Sequence, residues 1–208
     1  MSSPSPSKAP DDPGAFGMLS PNQERILKGA SYRLTALIAK EEREPNDWSF
    51  SFFLDIHKRL FEGIDSDRAG KLRLTEVTFR SHAIPTPEQI QYRLMDVVRD
   101  AKRIIEDART IDDDEQRIEA IFPRIACLHA ECVVIQPFID GNKRWARQVL
   151  SALLVDCGFW PGARIEADHQ KRYMDGIDKS VAGDHEQLAT LILEGWQQLA
   201  SDFSSGMF

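Results

Sequence analysis

One polar, glycine-bearing segment set between two apolar runs constrains this chain more than any other feature. Residues 136–147 read Gln-Pro-Phe-Ile-Asp-Gly-Asn-Lys-Arg-Trp-Ala-Arg. The apolar run Ala126 to Ile135 precedes it, and a second run, Trp145 to Phe159, follows. The layout predicts helix, polar loop, helix. A loop that opens onto a helix N-terminus is a ready anion site, because unpaired backbone N–H groups and the helix dipole both face the ligand. Asp140 offers a hard oxygen ligand for a cation such as Mg²⁺. Arg144 and Arg147 are three apart, share a helix face and can clamp successive phosphates. The chemistry suggested by these residues is a Mg-nucleotide held by its phosphates.

The same residues resemble the signature of the Fic family, His-x-Phe-x-Asp/Glu-Gly-Asn-Gly-Arg-x-x-Arg. Phe138, Asp140, Gly141, Asn142, Arg144 and Arg147 match it. Gln136 stands where the family has its catalytic His, and Lys143 stands where many members have Gly. The second departure is similar to the related Doc branch, whose motif carries Asn-Lys-Arg. The resemblance extends over roughly residues 50–200. Leu54, Ile56, His57, Leu60 and Phe61 look like the early helix, and Ala69 to Arg73 like the stretch entering the flap. Leu128 to Glu131, and Arg172-Tyr173 with Gly183-Asp184 and Leu188, resemble the later helices.

The resemblance implies ATP and Mg²⁺ as ligands and transfer of AMP to a hydroxyl side chain of a target protein. It puts Mg²⁺ on Asp140, the anion nest on Gly141, Asn142 and Lys143 with the Asn142 side chain adding a phosphate hydrogen bond, the distal phosphates on Arg144 and Arg147, and Phe138 among the nucleotide-binding residues. It places a target-binding flap at about 71–82, with Thr75, Val77 and Phe79 as candidates for pairing with an extended segment of the target. The family His is a general base, a role worth typically about 10²–10⁴-fold. An amide has no basic site near neutral pH, so Gln136 predicts weak or absent transfer with the nucleotide cradle intact. His129 lies two helical turns earlier, roughly 10 Å along the axis, too far to substitute. Lys143 reads either as an added phosphate contact in a Doc-like kinase or toxin, or as a solvated residue at a helix start.

Many Fic proteins are restrained by a Ser/Thr-x-x-x-Glu-Gly/Asn helix whose Glu pairs with the second motif Arg. Thr190 to Gly195 fits that pattern and makes Glu194 a candidate inhibitory residue; Ser20 to Glu24 fits less well, because Arg25 follows. An antitoxin or inhibitory protein partner is the alternative restraint. Three functional readings stay open: a slow or disabled AMP transferase, a non-catalytic nucleotide- or protein-binding module, and a Doc-like kinase or toxin component.

The rest of the chain sets the frame. Residues 1–19 are Ser, Pro, Gly and Asp rich and predict a disordered tail. Residues 20–203 then form the Fic domain, an all-α bundle with one small β-hairpin as its flap. Helices are expected from Ser20-Pro21 to about Glu42, Phe50 to Ile64, the Pro85–Glu88 turn to about Ala108, the acidic turn Asp112–Glu115 to Val134, Trp145 to Cys157, about Asp168 to Ala182 and about Asp184 to Ser201. A weak alternation through Leu72, Leu74, Val77 and Phe79 predicts the hairpin. The net charge of −7 argues against a general nucleic-acid partner. No apolar run approaches the ~18 residues of a membrane span, and the N-terminus has no signal-peptide core. The expectation is a cytoplasmic protein with no membrane partner. Cys127, Cys132 and Cys157 match no metal or redox spacing and read as buried free thiols.

Overall fold

A computed structural model describes residues 19–39, 46–165 and 170–205. The expected N-terminal tail and the ends of the first and sixth predicted helices fall largely outside these residues.

Among the described residues seven helices follow one another: α1 (Pro21–Ile38), α2 (Phe50–Phe61), α3 (Pro87–Ala108), α4 (Asp114–Ile135), α5 (Asn142–Asp156), α6 (Gln170–Val181) and α7 (Glu186–Ser204). Local chemistry sets several of the starts. Ser20 accepts from the Gln23 amide while the Gln23 side chain accepts from the Ser20 amide, a reciprocal cap ahead of Pro21. The Thr86 amide is satisfied by Gln89 in the same way before α3. Asp113 caps α4 by accepting from the Gln116 amide at 2.8 Å.

The central helix is α4, which packs against α3, α5, α6 and α7. Ile121, Phe122, Ile125, Ala126, Cys132 and Val133 are all buried on it. A buried aliphatic or aromatic side chain contributes about 1.5–3 kcal/mol, so this helix is fixed from several sides and delivers Ile135 to one place. The following helix is anchored as firmly: Trp145 is fully buried, and its indole N–H donates to the Phe53 carbonyl at 2.9 Å. At the far end of α5, Asp156 accepts from the Asn46 amide and side chain and from the Trp48 indole. The segment entering α2 is thereby tied to the end of α5.

Two expectations need correction. No strand occurs among the described residues, so the flap at 71–82 is not a β-hairpin. Its side chains do not alternate cleanly between core and solvent: Leu72 and Phe79 pack on the core, whereas Leu74 is 89% exposed. Without a packed face, nothing offsets the cost of closing a two-stranded ribbon. The cysteines are free, and Cys132 and Cys157 are buried as expected, but Cys127 is exposed. It lies on α4 along a surface groove edged by Asp100, Arg103 and Glu131. No helix of the described residues is long and apolar enough to cross a membrane.

Candidate functional site

Chain reversal at the motif begins with Gln136, whose left-handed backbone (φ 47°) ends α4. Its side-chain amide is spent locally. The Nε2 group donates to the Val133 carbonyl and Oε1 accepts from Asn142 Nδ2 at 3.2 Å. Asn142 also spans the loop: Oδ1 accepts from the Phe138 amide and Nδ2 donates to the Phe138 carbonyl, both at 2.9 Å. A buried amide side chain thus satisfies a backbone that no helix or strand pairs. Phe138 is buried, edge-on to Trp145.

Gly141 is the N-cap of α5 with φ 76°. Its conformation favours glycine, and so does its space: a Cβ there would lie 2.2 Å from the Phe61 ring. The Asp140 carboxylate accepts from the Gly141 amide at the loop tip. Just beyond, α5 begins with Asn142, Lys143 and Arg144, the turn whose amides lack intrahelical acceptors.

Sequence reasoning overlooked the residue beneath the loop. His57 on α2 is fully buried and sandwiched between rings, 4.6 Å from Phe61 and 3.7 Å from Phe138. Its Nδ1 accepts from the Gly70 amide at 3.0 Å, so Nε2 carries the proton and donates to the Asp140 carbonyl at 3.1 Å. Burial pushes this imidazole down to about 4, against a smaller opposing effect of the Asp140 carbonyl. The neutral form is the one that can accept and donate at once. Its sequence signal was the apolar helix face it shares with Phe53, Ile56 and Leu60, which gave no hint of a loop partner.

Arg147 lies half-buried over the Tyr173 ring, with its guanidinium carbon 5.0 Å from the centroid. The Tyr173 hydroxyl meets His129 Nε2 at 2.9 Å. His129 is buried and pushed down to about 3 by burial and then by the Arg147 charge. It is engaged with Tyr173, away from any role as a replacement base. The Arg147 Nε is buried without a hydrogen-bond partner among the described residues. Arg144 is exposed at the start of α5, and its guanidinium feels Asp140, Arg147 and Glu24. Lys143 is exposed in the same turn.

Around the flap, Thr75 is exposed while Val77 and Phe79 are half-buried, and Phe79 stacks on His82. Glu194 is placed elsewhere: both its oxygens accept from Arg172, across the α6–α7 contact. Glu24 of α1 adds a minor charge effect on Arg144, smaller than those of burial, Asp140 and Arg147.

The Fic/DOC family model matches residues 47–154, just over half of the chain. The chain belongs to the Fic/DOC family. Protein adenylyltransferase fic-1 of Caenorhabditis elegans is 31% identical over 142 residues, covering 68% of this chain and 26% of that protein. Its Caenorhabditis briggsae counterpart is 29% identical over 149 residues, covering 72% and 27%. This chain therefore spans about a quarter of the length of these relatives. Among solved structures, a C. elegans Fic-1 fragment superposes with a TM-score of 0.62 at 23% identity, over 93% of this chain and 56% of that one. The BepC protein of Bartonella tribocorum, solved with bound AMPPNP, gives 0.60 at 16% identity, over 88% and 90%. The all-α Fic fold is established by these likenesses, and the motif loop sits where α4 hands over to α5.

Proposed function

We propose that this Fic-fold chain binds ATP with Mg²⁺ at the Asp140–Arg147 loop, and that AMP transfer to a protein hydroxyl is weak or absent because Gln136 stands at the base position. The observation that carries this reading is the preorganised loop itself. Asp140 sits at its tip, the first turn of α5 follows with unpaired amides, and the charges of Asp140 and Arg147 both act on Arg144. One carboxylate plus substrate phosphates is a sufficient protein share for Mg²⁺, which binds through few protein ligands. The metal would neutralise phosphate charge. Arg144 would hold a distal phosphate oxygen, the charge of Arg147 would support it from the same helix face, and the α5 amides would take a further one. The Fic-fold BepC protein, solved with bound AMPPNP, supports nucleotide as the ligand class.

Transfer requires a target hydroxyl to attack the α-phosphorus, with pyrophosphate leaving and the hydroxyl proton going to a base. The amide of Gln136 cannot take that proton. Its two hydrogen bonds, to Val133 and Asn142, make it a brace of the loop. That bracing favours nucleotide binding without transfer over a slow transferase. A Doc-like kinase, with Lys143 on a phosphate, is the remaining alternative.

Calorimetric titration with Mg-ATP tests the cradle. This chain should bind, and Arg144→Ala should weaken binding at least about tenfold, as expected for a lost charge-assisted contact. In the same titration Glu24→Gln should tighten binding if that carboxylate competes for Arg144. Absence of binding to the unaltered chain would sink the nucleotide reading. Gln136→His should then raise transfer by about 10²–10⁴-fold, and the mass of the adduct separates AMP from phosphate.

A further inference from the structure

The flap and the motif loop are joined by two stitches. Arg73, only 3% exposed, donates through Nε to the Gln136 carbonyl at 2.7 Å. One terminal nitrogen donates to the Thr75 carbonyl at 2.8 Å and the other to the Pro85 carbonyl at 2.6 Å. Its backbone N–H donates to the Pro137 carbonyl at 3.0 Å. The second stitch is His57, which links the Gly70 amide to the Asp140 carbonyl.

We propose that Arg73 is a positioning residue that locks the flap to the motif loop, so that the two segments open as one unit. The chemistry of the contacts argues for this. Gln136 ends α4, where orphan carbonyls and the negative end of the dipole favour a cation. Three carbonyls from three segments lie around one side chain, and only a planar guanidinium has donors fanned out to meet them. Lysine would keep the charge but not the fork. Gly70 is pinned as well: with φ 73°, a Cβ there would come within 3.0 Å of the Leu54 carbonyl and Lys58. Residues 70–75 are thereby fastened to both ends of 136–140, while the stretch beyond Thr75 has no such anchor until Arg80 and His82 meet Asp178 at 2.7 and 2.8 Å. The lock stands on these contacts alone. Its use, holding a target segment in fixed relation to the nucleotide, rests on the function proposed above.

Native-state hydrogen exchange on the full chain, without ligand and across low denaturant, tests it. The amides of Gly70, Arg73 and Phe138 should share one opening curve. Arg73→Lys should speed exchange at all three by about tenfold or more, the equivalent of one or two lost hydrogen bonds, and leave α3 residues Ile90 to Ala101 unchanged. Arg73→Gln serves if the lysine variant does not fold, and the unaltered chain alone suffices if neither does. Independent opening of Phe138 and Arg73 in the unaltered chain overturns the proposal. So does a uniform rise across every helix, which would make Arg73 a general stabiliser. A repeat with Mg-ATP keeps the two ideas apart: no response would count against the nucleotide reading and leave the lock standing.

Discussion

The motif loop and the flap touch each other, yet they are held in opposite ways. In the loop, Gln136, Phe138, Asp140 and Asn142 are paired within a few residues, and Phe138 is buried between His57 and Trp145. In the flap, bonds gather at the ends, on Arg73 and on the Arg80–His82 corner, while Leu74 stands in solvent. The loop is braced by its own hydrogen bonds, an arrangement that lowers the ordering cost of holding any ligand. In the middle of the flap Leu74, Thr75 and Glu76 are exposed.

Acid should have the largest effect of the series, acting through the His57 stitch beneath the loop. His57 and His129 have folded values of about 4 and about 3, below the ordinary 6.5. Between those values and 6.5 the unfolded chain binds more protons, so stability is full above about 6.5 and falls as pH drops toward 4 and then 3. His57 alone represents on the order of 3 kcal/mol. Urea midpoints between pH 7 and 5, where most carboxylates stay ionised, should decline steadily. A flat profile would mean that these imidazoles are not buried and neutral.

Gly141→Ala should come next, costing roughly 2–4 kcal/mol through the clash with Phe61 and the left-handed backbone. Chemical denaturation reads it directly, and a loss below 1 kcal/mol would show that the loop yields more easily than its packing suggests. Asn142→Ala should cost about 2 kcal/mol, since it strands both polar groups of Phe138. Leu74→Ser closes the series: stability should stay within about 0.5 kcal/mol, and Mg-ATP affinity should be unchanged. A large loss there would erase the contrast between the two regions.

Much of the fold was legible from periodicity and caps. Ser20-Pro21, Thr86-Pro87 and the acidic turn before α4 announce their helices, and the structure begins each within a residue or two. Ends were read less well: α2 stops at Phe61 and not at Ile64, because the bonds of Ile64 and Asp65 to the Phe61 carbonyl turn the chain. The expected strand pair failed for a related reason, since a short alternation predicts a ribbon only when one face has a surface to pack on.

The sequence by itself determined the helical bundle, the loop between two apolar helices, and the matching residues from Phe138 to Arg147, because spacing along one chain encodes helix faces and turn chemistry. Only the tertiary structure decided that His57 and Arg73 hold that loop, that Tyr173 seats Arg147, and that Glu194 belongs to Arg172. His57 and Asp140 are 83 residues apart, and Arg73 and Gln136 are 63 apart. Hydrogen bonds and ring stacking depend on distances of a few ångströms, and no local pattern records which distant side chain will arrive there once the core has packed.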